Sequence, residues 1–445
     1  MVPSDPPPIE TVKDRHWFGS YGRIGFFADP DGARGTQRQI VAFGPRLIED
    51  NYLELDFGYI PYRGKEAQVR ALITVSFFDQ LFHYDGKADA KIGLRQAYVE
   101  AEKLWGTGAF AWVGSRWVRG NDIYLLNFWP MDELNVVGFG GGWRDGSTDL
   151  MLTFALNRLE NGLQVQRVPV PSNGYGAQEA ELLDRQKRLI AAMAEKRYGG
   201  HDGQLGLKVR LYSELHHLPS GKRYYGDSYT EFEPLPDDLG FVAGVQFGAW
   251  NMPGPGGHLN LWLRYAQGLA VYDELGTPFG LNKDRRAVDA QEFRLALAGN
   301  LELKDAAVSL QYGGYARIFK DADVNEEDFD DRQEYAFAVR PQLNLGIFTP
   351  AVEASVQLSR PNGLNPRTNQ QQVAQVTQLA VIPALTFGDL IGSYTRPQLR
   401  FIYAVSLLNQ AAMDYYPIDD PRSAQDLAHY IGVNAEWWFG RGGGY

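Results

Sequence analysis

The sequence predicts an all-β fold whose strands close into a transmembrane antiparallel barrel. Three observations point there: short stretches of strict apolar/polar alternation, turn-forming clusters between them, and an aromatic-rich composition. Leu53, Leu55, Phe57 and Tyr59 alternate with Tyr52, Glu54, Asp56 and Gly58. The same period of two runs through Leu205–Tyr212, His258–Tyr265 and Tyr335–Leu345. It puts one residue set on each face of a strand, one apolar throughout and the other mixing charges, amides and aromatics. A soluble sandwich shows the same alternation and stays open on periodicity alone. Tyr430–Phe439 favours the barrel, because Ile431, Val433, Ala435, Trp437 and Phe439 form a membrane-type last strand with an aromatic end.

Composition agrees. Aromatic residues are 13% of the chain, with 24 Tyr, 24 Phe and 10 Trp beside 49 Gly, which suits a β protein with many turns and aromatic girdles. No run of about 18 apolar residues occurs, so no transmembrane helix is expected. Mean hydropathy is −0.33, as expected when only alternate residues of a strand face lipid. A formal charge of −11 argues against nucleic acid as a partner, since phosphate binding needs a basic surface. The chain has no cysteine, which suits passage through an oxidising periplasm and is shared by many cytosolic enzymes. Met1–Asp5 has neither a basic nor an apolar signal region, and is read as the start of a mature chain whose signal peptide is absent.

Three regions are expected in the 445 residues. Residues 1–16 form a Pro-rich leader, 17–439 a single barrel, and 440–445 a Gly-rich tail. Within the barrel, Gln178–Tyr198 carries Leu182, Leu183, Leu189, Ile190 and Met193 at helical spacing and predicts a helical insertion, 178–198, in an outer loop. Asp321, Asp323 and Asn325 begin like a calcium loop, but Glu326 takes the required Gly position and Arg332 the closing Glu position. GFGGGW at 138–143 lacks a surrounding βαβ unit, and the adjacent His216 and His217 fall on opposite strand faces. No catalytic residue, metal site or cofactor is assigned.

Several segments then resemble the maltoporin family in order: FGSYGRIGF (18–26), RLIEDNYLEL (46–55), LRQAYVEAE (94–102), DIYLLNFWPMD (122–132), AVRPQL (338–343), YTRPQLR (394–400) and VNAEWWF (433–439). The resemblance spans about residues 17–439. It implies 18 strands, an inward-folded third loop, a homotrimer in the bacterial outer membrane, and diffusion of maltodextrin-like oligosaccharides along an aromatic slide. RLIEDNYLEL corresponds to the family's second strand. Tyr21, Tyr52 and Trp438 match slide positions, and share parity with Arg23, Glu54 and Glu436. Tyr84 lies near the slide aromatic given by a neighbouring subunit, and Trp129 matches the constriction tyrosine. A slide position falls on His258, and another near Phe387. Arg23, Arg46, Arg95 and Arg119 match the family's arginines, and Glu54 and Asp132 its acids. The constriction histidine and aspartate are here Tyr124 and Asn127.

The physics of such a slide is general. Aromatic rings hold the apolar C–H faces of a pyranose, while polar groups exchange hydrogen bonds with its hydroxyl rim. Two other readings are a general, plugged or structural outer-membrane barrel without sugar selectivity, and a secreted polysaccharide-acting β enzyme. The enzyme would need a pair of carboxylates at defined separation.

Overall fold

The computed structural model describes residues 15–440 except 36, 79–85, 87–89, 201–202, 253, 324–327, 329 and 366. Tyr84, the leader up to residue 14, and 441–445 lie outside the described residues. Eighteen antiparallel strands pair in chain order, and the last, Leu427–Phe439, closes on the first, His16–Ala28. The closing register places Tyr21 opposite Trp438 and Arg23 opposite Glu436. The sixteenth strand is split at Pro383 into Ala374–Ile382 and Ala384–Thr386, both pairing with Gln398–Leu408. Proline has no N–H for the ladder, which accounts for the break.

Period two sorts the side chains by face. In Gln291–Leu303 the outward Phe293, Leu295 and Leu297 are exposed, while the inward Glu292 and Arg294 are buried. Apolar residues outside and charges inside are the reverse of a soluble sandwich and the arrangement of a lipid-facing barrel. Tyr62, Trp105 and Trp143 stand exposed near the short-turn mouth, where an aromatic girdle belongs. Among the described residues no helix is long and apolar enough to cross a membrane.

The expected helix at 178–198 is a correction. Ala177–Asp184 is one arm of a loop hairpin with Val165–Pro171, and Lys187–Gly199 is a barrel strand. In that strand Leu189, Ala191 and Met193 point inward into the buried cluster, while Ile190 faces out. Both faces are therefore apolar, the alternation disappears, and small helix-favouring residues mimic an amphipathic period. A second hairpin, Gly221–Tyr225 with Glu231–Leu235, sits beside the first, and Gln166 bonds both the N–H and the C=O of Tyr224.

Other boundaries shift too. The first strand begins at His16, inside the expected leader. The second begins only at Tyr52 and runs to Arg63, so Arg46–Asn51 belongs to the first long loop rather than to a strand. That loop, described over 29–35 and 37–51, enters the lumen. Ile40 N–H donates to Gln357 (3.1 Å), Ala42 N–H to Glu334 (3.1 Å) and Phe43 N–H to the Tyr315 hydroxyl (3.1 Å).

Candidate functional site

The third long loop, 120–132, folds inward as expected. Its flanking strands, Ala109–Arg119 and Glu133–Arg144, peel off the wall before they reach it. Pairing with Lys91–Leu104 stops at Ala97/Ser115, and pairing with Thr148–Asn157 stops at Val137/Leu156. Residues 116–136 are thus free to lean into the lumen, still paired to each other from Ser115/Val137 to Arg119/Glu133. A bridge between Ile123 and Phe128 closes the loop on itself.

On one side this loop is anchored. Ile123, Leu125, Leu126 and Phe128 are almost fully buried. A Cβ on Gly313 would lie 2.4 Å from Ile123, so only glycine lets the loop sit against that wall. Phe128 stacks on Phe43 of the first loop at 3.8 Å. Arg46 N–H donates to Leu125 O at 2.8 Å, joining the two inward loops. Across the lumen the Tyr124 hydroxyl donates to Glu436 at 2.6 Å. Glu436 is fully buried and also meets Arg46 (3.1 Å), Arg396 (2.8 Å) and Arg400 (3.2 Å). Three guanidiniums around one carboxylate hold strand, loop and turn together.

On the other side the predicted Tyr21, Arg23, Tyr52, Arg95, Arg119 and Trp129 line up in one row with Trp117, which the sequence did not single out. Arg23 lies 6.0 Å from the Tyr21 ring and 5.2 Å from Tyr52. Arg95 lies 5.8 Å from Tyr52 and 5.9 Å from Trp117. Arg119 lies 4.4 Å from Trp117 and 4.6 Å from Trp129. Aromatic ring and guanidinium alternate from Tyr21 to Trp129, each pair within cation–π range. Trp129 also lines a cavity of about 300 Å³ with Phe43, Glu133, Asn135, Arg264 and Asp273.

The remaining predicted residues fall around this row. Tyr21 takes a hydrogen bond from Arg46 (2.6 Å), and the Tyr52 hydroxyl is bonded to Glu54. Trp438 lies 6.3 Å from Tyr124 and 4.6 Å from Arg396. Asp132 does not join the row. It pairs with Arg210 on Gly206–Leu218 at 2.8 Å, beside Glu195 and Lys208. Burial raises its carboxyl above the ordinary range despite that arginine. Asn127 is exposed at φ +49, closing the short turn 124–126. His258 stands apart from the row, with its ring 5.8 Å from Tyr394. Phe387 follows the outward Leu385 and is itself exposed.

Several lumenal residues were not anticipated from sequence. Trp117 enters only because its strand leaves the wall; the Gln96 side chain replaces the lost ladder bond to its N–H at 3.1 Å. Tyr394 and Arg396 sit on a connection, 387–397, that turns into the lumen, where Tyr394 meets Tyr124 at 5.6 Å. The motif YTRPQLR contained both, yet nothing local distinguishes an inward turn from an outward one.

A family model described as LamB porin matches residues 17–439. No curated protein matches the chain. Among solved structures, Pseudomonas aeruginosa OccD3 (OpdP) is 11% identical, covering 96% of this chain and 91% of its own, with a TM-score of 0.45. Acinetobacter baumannii OccAB4 is 9% identical, covering 96% and 98%, at 0.43. Pseudomonas aeruginosa OpdK with vanillate is 12% identical, covering 96% and 98%, at 0.41. Likeness at that level reaches neither substrate nor site. Porins are channels and not enzymes. The chain belongs to the LamB porin family and is a porin-type β-barrel of the outer membrane.

Proposed function

We propose that this porin passes sugars by facilitated diffusion, with the row from Tyr21 to Trp129 as the path and maltodextrin-like oligosaccharides as the reference substrates. The observation that carries the reading is the unbroken alternation of ring and guanidinium over seven residues. Successive rings offer equivalent faces to successive pyranoses, and the guanidiniums between them bond the hydroxyl rim. Each contact is weak and repeated, as conduction requires both entry and exit. Trp129, where row meets cavity, is the steric and stacking element, Asn127 stands exposed on the same loop, and Asp132 braces that loop from behind through Arg210. Three such barrels form a homotrimer in this reading.

Single-channel conductance in a planar bilayer, titrated with maltodextrins of increasing length, tests it. The expected result is conductance in triple steps that closes saturably with sugar. Trp129→Ala should raise conductance and weaken block about tenfold, the loss of one stacked ring worth about 1–1.5 kcal/mol. Unchanged conductance and block in that variant would remove Trp129 from the path. A second reading, a barrel shut by its own loops, is favoured by the stacking of Phe43 on Phe128 inside the lumen. It predicts no channels from the intact chain.

A further inference from the structure

We propose that Arg95 binds the carboxylate of an acidic sugar, so that the preferred substrate is an anionic oligosaccharide such as an oligouronate. The inference rests on the sugar-passing reading above and deepens it.

Arg95 differs from the other two guanidiniums of the row. Arg23 holds Glu49 at 3.4 Å and Arg119 holds Glu133 at 3.1 Å. Among the described residues Arg95 has no carboxylate at ion-pair distance. Its Nε donates to the Tyr52 hydroxyl at 3.3 Å, and among the described residues no acceptor takes its terminal nitrogens. Glu54 is reached only through that hydroxyl. Arg95 is also exposed, whereas the Arg23 and Arg119 side chains are 18% and 15% exposed.

The position is produced by a local device. Gln68–Phe78 and Lys91–Leu104 pair regularly until Thr74 faces Gln96, and then Val75 faces Leu94. The slip leaves Arg95 without a cross-strand partner. Gln96 points into the lumen and bonds Thr74, so regular alternation would turn residue 95 toward lipid. The bulge re-aims it onto Tyr52 and Trp117, the use to which bulges are commonly put.

The ligand chemistry follows. A uronate pyranose carries an apolar C–H face and a planar carboxylate at its rim. Tyr52 and Trp117 flank the guanidinium on either side, ready for the faces. The free edge of the guanidinium matches a carboxylate with two parallel hydrogen bonds. A neutral sugar offers only hydroxyls, exchanging one set of neutral acceptors for another. Glu49 and Glu133 are already matched by their own arginines, and Glu54 lies behind the Tyr52 hydroxyl, so among the described residues no carboxylate occupies the fork of Arg95.

The test uses the full chain in planar bilayers, with trigalacturonate or maltotriose added to one side. Trigalacturonate is expected to half-block at a concentration about 10- to 100-fold lower than maltotriose, the range of one charge-assisted hydrogen-bonded contact. Arg95→Gln should bring the two within about threefold, and Arg95→Lys should fall between, keeping the charge without the fork. Equal block by both trimers in the unaltered protein overturns the proposal and leaves the sugar reading standing. A preference for the acid that survives Arg95→Gln also overturns it. Block by neither sugar removes the sugar reading, and this proposal with it.

Discussion

Inward arginines line both sides of the lumen, but their surroundings differ. On the wall of His258–Gly268, Gln291–Leu303, Val308–Lys320 and Arg332–Leu343, Arg264, Arg294, Arg317 and Arg340 are buried and matched. Glu292 alone meets Arg264, Arg294 (2.7 Å) and Arg317; Asp273 adds to Arg264 (3.0 Å), Glu334 to Arg317 (3.2 Å), and Glu353 to Arg340 (2.6 Å). These charges are removed from water with their partners in place, so they fix geometry and offer nothing to a solute. In the row from Tyr21 to Trp129 the three arginines lie between rings, Arg23 and Arg119 each hold a single acid, and the exposed Arg95 holds none among the described residues. Rings touch arginines on both walls, so what separates a fastening from a contact surface is whether acids also fill the guanidinium's fork.

The contrast can be broken at its strongest point first. Glu292→Gln leaves three arginines facing a neutral amide and should lower unfolding stability by about 3–5 kcal/mol, read from urea titration of the refolded barrel. The same change at an exposed acid such as Glu179 should have almost no effect. Phe128→Ala removes the ring stacked on Phe43 and should cost about 3 kcal/mol or more while raising single-channel conductance, because the third loop loses its anchor. A stability loss with unchanged conductance would mean that the anchored side does not shape the pore. Trp117→Ala belongs to the other wall. It should weaken sugar block about three- to tenfold with a small stability change, since the ring is only partly buried.

The smallest expected effect lies outside the barrel wall. Asp321, at the start of the seventh long loop, has its carboxyl pushed up to about 7 by burial, with the Asp323 carboxyl in contact. A raised acid pKa means the folded form holds its proton more tightly. The associated stability is present in full below about pH 4 and is lost as the pH rises through about 7. The Ala322 amide, bonded to Gly280 O at 2.8 Å, reports on it. Its exchange protection, corrected for intrinsic rate, should be lower at high pH than at low pH, and Asp321→Asn should abolish that difference.

The architecture was legible in the sequence where the two strand faces differ in chemistry. Tyr21, Tyr52 and Trp438 were placed in the lumen by parity with Arg23, Glu54 and Glu436, and their contacts there agree. Parity failed where both faces are apolar, as in Lys187–Gly199, whose inner face meets packed loops instead of water. It failed again at the bulge, where Arg95 faces inward out of phase, and at Trp117, whose strand has left the wall. The inward course of 29–51 and 387–397 left no periodic trace. Hydrogen bonds to distant residues, such as Ile40 to Gln357, decide it, and no local pattern encodes them.

The central claim is that solute passes along the row and not along the matched-charge wall. Because the chain has no cysteine, it can be tested by single substitutions modified in an open channel. Cysteines at Arg95→Cys and Trp117→Cys should react with a charged methanethiosulfonate and reduce the current, with sugar protecting both. Cysteines at Ala298→Cys and Ala338→Cys, buried under the third loop, should stay silent. Rapid modification at 298 and 338 with no change at 95 and 117 would contradict the account and move the path to the opposite wall.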